Sequence, residues 1–143
     1  LDNGFFKNLS FINSSIEKFS KSENKYNLVT ISFGFRNFTD HDKALKNIYK
    51  SLKPGGRLII MDFKNPNNGI LRKIFSSYTD NILPVLGEKV VGDSESYRYL
   101  SDSIKTYMSV DQITQLLSRT GFINIKSESM LGDFVSIHLG YKS

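Results

Sequence analysis

Ile31-Ser32-Phe33-Gly34-Phe35-Arg36-Asn37-Phe38-Thr39-Asp40 joins an apolar strand to the start of a helix through a turn crowded with polar groups. Upstream, Leu28, Val29, Thr30, Ile31 and Phe33 form the short, nearly continuous apolar run of a parallel strand buried on both faces. At Gly34 the pattern changes, and Arg36 and Asn37 fall at the carboxyl end of that strand, the edge where open α/β sheets hold their ligands. Thr39 reads as a helix N-cap with Asp40 and Asp42 in the first turn, after which Leu45, Ile48, Tyr49 and Leu52 recur at helical spacing. Lys53-Pro54-Gly55-Gly56 stops that helix, because proline disfavours a helical residue before it and the glycines free the backbone. Arg57 to Phe63 then reads as a second buried strand, so that 28 to 63 is one β-α-β unit of an α/β fold.

Outward from this unit the rhythm breaks and then resumes. Residues 65 to 106 hold Asn65-Pro66-Asn67-Asn68-Gly69, a helical stretch with Ile70, Leu71, Ile74, Phe75 and Tyr78, and Pro84, Gly87 and Gly92 before a second helical stretch. This is expected to be an insertion over the carboxyl edge of the sheet, with Ile82, Leu83, Val85, Leu86, Val90 and Val91 either lining a slot or packing against the sheet. Ser109-Val110-Asp111-Gln112 has the capping-box form, which predicts a helix over 110 to 120 with Gly121 as its stop. Phe122 to Ile125 and Phe134 to Leu139 make a closing strand pair around a turn at Gly132-Asp133. There are no internal repeats and no low-complexity tract.

Four stretches, FGFRNFTDHDKAL (33 to 45), SLKPGGRLIIMDF (51 to 63), GDSESYRYLSDSI (92 to 104) and IHLGYK (137 to 142), resemble the ubiquinone/menaquinone biosynthesis C-methyltransferases. The F-G-x-R-N turn and the D-S-x-S-Y-R-Y-L run carry the resemblance, which extends over nearly the whole chain. It implies a Rossmann-like class I methyltransferase fold, mostly parallel with an antiparallel final strand, and S-adenosylmethionine as cofactor. It also implies that the glycine-rich cofactor loop and the first two strands are missing, so that 1 to 143 is the carboxyl-terminal part of a single methyltransferase domain. In the family's sheet order, 3-2-1-4-5-7-6, the stretch Ser10 to Asn13 is then the third strand. The run Leu28 to Phe33 is the fourth, left with an unpaired edge.

The implied activity is methyl transfer from S-adenosylmethionine to a ring carbon of a polyprenyl benzoquinol or demethylmenaquinol. The resemblance places Arg36 and Asn37 at the chemistry. As a guanidinium is always protonated, Arg36 would stabilise a phenolate or orient a water that takes the proton, with Asn37 holding that water or an oxygen. Asn13 and Ser14 fall near adenine, and Ser32 near the methionine side of the cofactor. Tyr97 or Arg98 would reach substrate oxygens from the insertion, and Asp62 stands where the family often has Glu. Two alternatives share these features: another class I small-molecule methyltransferase, and a non-catalytic structural partner in a quinone-biosynthesis assembly. A homodimer or such an assembly is a further partner class that the resemblance allows.

Composition sets bounds. The 143 residues carry a net charge of +5 and a pI near 9.4, but the lysines are scattered and no basic-aromatic interleaving marks a nucleic-acid surface, so nucleic acid is not an expected partner. The charge fits peripheral contact with an anionic membrane better, since polyprenyl substrates live in membranes. Zero Cys excludes disulfides, thiolate nucleophiles and Cys-bound zinc in this chain, and His41 and His138 do not form a metal pair. His41 is expected to be exposed and His138 to sit in the core. No apolar run reaches the eighteen or so residues that span a bilayer, and a cytoplasmic location, peripheral at the inner membrane, or on the matrix side of the mitochondrial one, is the expectation.

Overall fold

The computed structural model describes residues 9–19, 23–67, 69–78, 81 and 94–143. Strand β1 (Tyr26–Ser32) pairs in parallel with β2 (Leu52–Phe63) through helix α1 (His41–Ser51), which is the β-α-β unit read from the sequence. Helices α2 (Gly69–Ser77), α3 (Ser94–Lys105) and α4 (Val110–Thr120) follow, then the antiparallel strands β3 (Phe122–Met130) and β4 (Val135–Lys142). The sheet order is β1-β2-β4-β3, with β4 antiparallel to both of its neighbours. This mixed sheet with helices is Rossmann-like, and its order matches the 4-5-7-6 half of the expected sheet.

Local chemistry accounts for the boundaries. The N-cap of α1 is Asp40, not Thr39: its side chain accepts from the Lys43 amide, and a carboxylate there also meets the positive end of the helix dipole. The Lys53-Pro54-Gly55-Gly56 segment does not separate α1 from a later strand. It loops out within β2, since Tyr26 pairs with Leu52 whereas Leu28 already pairs with Arg57. Glycine is required in that loop, because a Cβ on Gly56 would stand 2.7 Å from the Lys53 carbonyl oxygen. Both halves of the capping box form at Ser109 and Gln112, and Gly121 ends α4 at φ +112°. The strands of the closing pair run further than the apolar residues alone mark, to Met130 and to Lys142, around a 3₁₀ turn at Leu131–Asp133.

The core lies on one face of the sheet. Leu45 and Ile48 of α1 and Ile113 and Leu117 of α4 pack against Leu58 and Ile60 of β2 and Phe122 of β3. Burying one large aliphatic side chain contributes roughly 1.5–3 kcal/mol, so this cluster is the main stabilising feature. Two expectations need correction. Strand β1 is not buried on both faces: it is the sheet edge, with Leu28 50% exposed, which is the unpaired edge anticipated for this run. Nor is Ser10 to Asn13 a strand. Residues 9–15 have no regular structure and Phe11 and Ile12 are exposed, because among the described residues no strand lies beyond β1 to pair with them. The segment is instead anchored after its 3₁₀ turn (Ile16–Lys18), where Asn47 of α1 donates to the Ile16 and Glu17 carbonyls and the Glu17 carboxylate accepts from the Thr39 amide.

Candidate active site

The chain leaves β1 at Ser32, and at Phe33 the backbone turns to φ +55°, a left-handed conformation that is uncommon for a bulky residue. A hydrogen bond from the Phe33 amide to the Met61 carbonyl and a tilted stack on Phe63, with centroids 4.7 Å apart, hold it there. The 3₁₀ turn Phe35–Asn37 follows. Phe35 is its plug, fully buried and packed edge-on to Phe38 and His41. With Phe35 fixed, Arg36 projects back across the carboxyl edge of the sheet.

Asp62, in the last turn of the pleat of β2 and only 1% exposed, receives it. One carboxylate oxygen accepts from the Arg36 amide at 2.9 Å, and the other from Arg36 Nη1 at 2.6 Å and from the Phe63 amide at 2.8 Å. Arg36 Nη1 also donates to the Phe33 carbonyl at 2.6 Å, and Nε to the Ser103 hydroxyl of α3 at 3.2 Å. The guanidinium lies over the Phe63 ring, 5.5 Å from its centroid. Among the described residues, Nη2 donates to none. Arg36 is therefore a clamped cation with donors in reserve, and Asp62, saturated and sealed from water, is its counter-ion.

A cavity of about 360 Å³ opens beside this pair. Arg36 lines it from the turn and His41 from the start of α1, and Tyr99, Asp102 and Ser103 line it from α3, with Tyr107 closing it from the link to α4. His41 is half-buried, not exposed as expected, because its Nε2 lies 2.9 Å from the Phe35 carbonyl, which requires that nitrogen to carry the proton. The Tyr107 hydroxyl is buried and has no hydrogen-bond partner, the one such side-chain atom among the described residues. Burial, and then the charge of Asp62, push this phenol well above the ordinary tyrosine range, so it stays protonated.

The residues singled out from the sequence separate into groups. Arg36 lines the cavity, and Asn37 stands exposed at its rim, where its side-chain oxygen accepts from the Tyr99 hydroxyl at 3.1 Å. Ser32 is exposed at the carboxyl end of β1, and Asn13 and Ser14 are exposed in the segment without regular structure. These three share no hydrogen bond with Arg36 or Asn37 among the described residues. The residues facing the cavity from α3 are Tyr99, Asp102 and Ser103, with Thr106 just past its end, spaced as one face of a helix. Arg98 is exposed and does not line the cavity, and the side chain of Tyr97 lies outside the described residues, as do Asp93 and the apolar run from Ile82 to Val91. The residues that reading the sequence undervalued are Asp62, Tyr99 and Tyr107. His138 is in the core as expected, with Nδ1 2.8 Å from the Ser127 hydroxyl and Nε2 3.0 Å from that of Ser136.

A model of the ubiE/COQ5 methyltransferase family matches residues 1–142. The ubiquinone/menaquinone biosynthesis C-methyltransferase UbiE of Pseudoalteromonas translucida (strain TAC 125) is 39% identical over 139 residues, covering 97% of this chain and 55% of that protein. The UbiE of Pasteurella multocida (strain Pm70) is 41% identical over 139 residues, covering 97% of this chain and 52% of that protein. The chain thus spans about half the length of the curated relatives it matches. A crystal structure of a SAM-dependent methyltransferase from Aquifex aeolicus superimposes with a TM-score of 0.61 at 14% identity, over 96% of this chain and 56% of that one, a likeness of fold.

Proposed function

The chain belongs to the ubiE/COQ5 methyltransferase family, and from that premise we propose that the protein carrying it methylates a ring carbon of a polyprenyl quinol, with Arg36 beside the reacting ring. The observation that carries this reading is the clamped Arg36–Asp62 pair facing a cavity at the carboxyl edge of the sheet. A fixed cation with unspent donors, in a site partly shielded from water, suits a phenolate whose charge develops as the ring becomes nucleophilic. Asp62 is not the base, since three donors saturate it and it is out of reach of solvent. It holds Arg36 in place, so that no rotamer search is needed when the ring arrives. Arg36, always protonated, orients a water that carries the proton away, and Asn37 with Tyr99 forms the rim that holds that water or a ring oxygen.

The donor set also fits the cofactor. Asn13, Ser14 and Ser32 are exposed amide and hydroxyl groups, and among the described residues the Ser14 hydroxyl is engaged only with the adjacent Ser15 carbonyl, leaving hydrogen-bonding capacity for a neutral purine and an amino-acid moiety. When bound, S-adenosylmethionine supplies an electrophilic methyl group. Asn13 and Ser14 would hold its adenine side and Ser32 its methionine side.

Peripheral membrane contact has its own support. No helix among the described residues is long and apolar enough to cross a membrane. Helix α2 buries none of its residues, exposes Ile70 and Ile74 one turn apart, and carries Arg72 and Lys73 between them, a pattern suited to an anionic bilayer surface such as that of the inner membrane.

Arg36→Ala in the protein as its gene encodes it tests the reading. Turnover of a demethylated quinol is expected to fall by two orders of magnitude or more, the scale of losing an oxyanion-stabilising donor, while cofactor affinity measured by calorimetry stays the same. Unchanged turnover would remove Arg36 from the chemistry.

A further inference from the structure

We infer that Tyr107 is a second substrate-facing donor, whose buried hydroxyl hydrogen-bonds a ring oxygen of the quinol in the cavity that it lines together with Arg36. The inference rests on the functional reading above and extends it to a residue that neither the motifs nor the family resemblance marks. Its ground is that the Tyr107 hydroxyl is buried without a partner, whereas polar groups buried in folded proteins are almost always hydrogen-bonded. A tyrosine at such a place is disfavoured relative to phenylalanine unless the hydroxyl serves something that arrives later. Tyr107 also occupies a junction. It lines the Arg36 cavity and, on its other side, a second cavity of about 200 Å³ bordered by Lys64, Arg72 and Gln112. The ring is thus a wall between two spaces, and it belongs to the link between α3 and α4, outside any helix or strand.

The chemistry fits a donor and excludes a base. The phenol is held in its protonated form by burial and by the nearby charge of Asp62, so it offers a proton to a hydrogen bond and keeps it. A dihydroxylated ring in the cavity presents an oxygen acceptor. As that oxygen loses its own proton to water, the bond from Tyr107 strengthens, and two donors, Arg36 and Tyr107, then share the developing negative charge. No bond to Tyr107 is made or broken.

Tyr107→Phe in the protein as its gene encodes it separates this role from a structural one. The variant is expected to lower kcat for a short-tailed demethylated quinol by about tenfold or more, to leave cofactor affinity within twofold, and to melt at the same temperature as the wild type or higher. The rising limb of kcat against pH should move to higher pH, since the bound phenol is harder to ionise with one donor fewer. Unchanged kcat and pH profile would overturn the inference. A lowered melting temperature with an unmoved pH profile would also overturn it, and would assign the hydroxyl to an ordered structural water. Absence of quinol methylation by the wild type would defeat the functional reading itself, and this inference with it; wild-type turnover with an unaffected Tyr107→Phe would defeat the inference alone.

Discussion

Asp62 is the residue on which the site turns. Its carboxylate joins two segments 26 positions apart, taking the backbone and side chain of Arg36 from the turn after β1 while it caps the end of β2. The sequence displays both residues, Arg36 through its family-like turn and Asp62 at the end of an apolar strand. Their pairing is a consequence of parallel register, which places Ser32 opposite Met61 and so brings both carboxyl ends together. No local pattern reports that. Single-residue burial is equally hard to read: His41 is polar and lies in a first helical turn, yet the Phe35 carbonyl and two aromatic rings draw it inward. His138 shows the energetic side of burial. Its pKa is lowered to about 4, by burial first and the charge of Lys64 second. The unfolded chain therefore binds a proton between pH 6.5 and about 4 that the folded chain refuses, so the stability present above pH 6.5 is lost as pH falls through that window. The slope from this group approaches roughly 1.4 kcal/mol per pH unit. Denaturation midpoints measured between pH 7 and 5 should fall more steeply for the wild type than for His138→Gln, and equal slopes would show that His138 is not the group responsible.

Elements with their own punctuation were legible, and those defined by partners were not. Helix α4 carries its start and stop in its residues: Ser109 and Gln112 satisfy each other's orphan backbone groups, and Gly121 adopts the left-handed conformation that releases the chain into β3. Ser109→Ala should therefore cost about 1 kcal/mol, within the roughly 0.5–2 kcal/mol range of N-cap losses, read as a shift in the chemical-denaturation midpoint. No shift would mean that the core contacts of Ile113 and Leu117 hold α4 without its cap. In contrast, Ser10 to Asn13 has the composition of a strand but makes none, because a strand exists only where a neighbour supplies hydrogen-bond partners. The same dependence explains the length of β2. Its Lys53-Pro54-Gly55-Gly56 loop contains residues that stop a helix, yet the flanking residues on both sides pair with β1. Helix α3 lies between these cases. Its helical character was evident, but which side chains face the cavity follows from its docking, and that choice falls on Tyr99, Asp102 and Ser103, while Arg98 is exposed outside the lining.

At the scale of the molecule, the described residues form a four-stranded sheet whose core covers one face and whose β1 edge has no strand beside it among them. The chemistry proposed for Arg36, Asn37 and Tyr107 sits at the carboxyl ends of β1 and β2, where the parallel pair leaves room for a ligand and where α3 forms the opposite wall. The fold class was readable because apolar strands, capped helices and the closing pair agree with one another; the cavity was not, because it is assembled from residues between Arg36 and Met108 that no single periodicity links. The most direct test of the account is to supply the protein as its gene encodes it with S-adenosylmethionine carrying an isotopically labelled methyl group, together with demethylmenaquinol or a demethylated benzoquinol, and to locate the label in the product. The account predicts label on a ring carbon of the quinol. Label on oxygen or nitrogen, or none on any quinol while the cofactor binds, would contradict it.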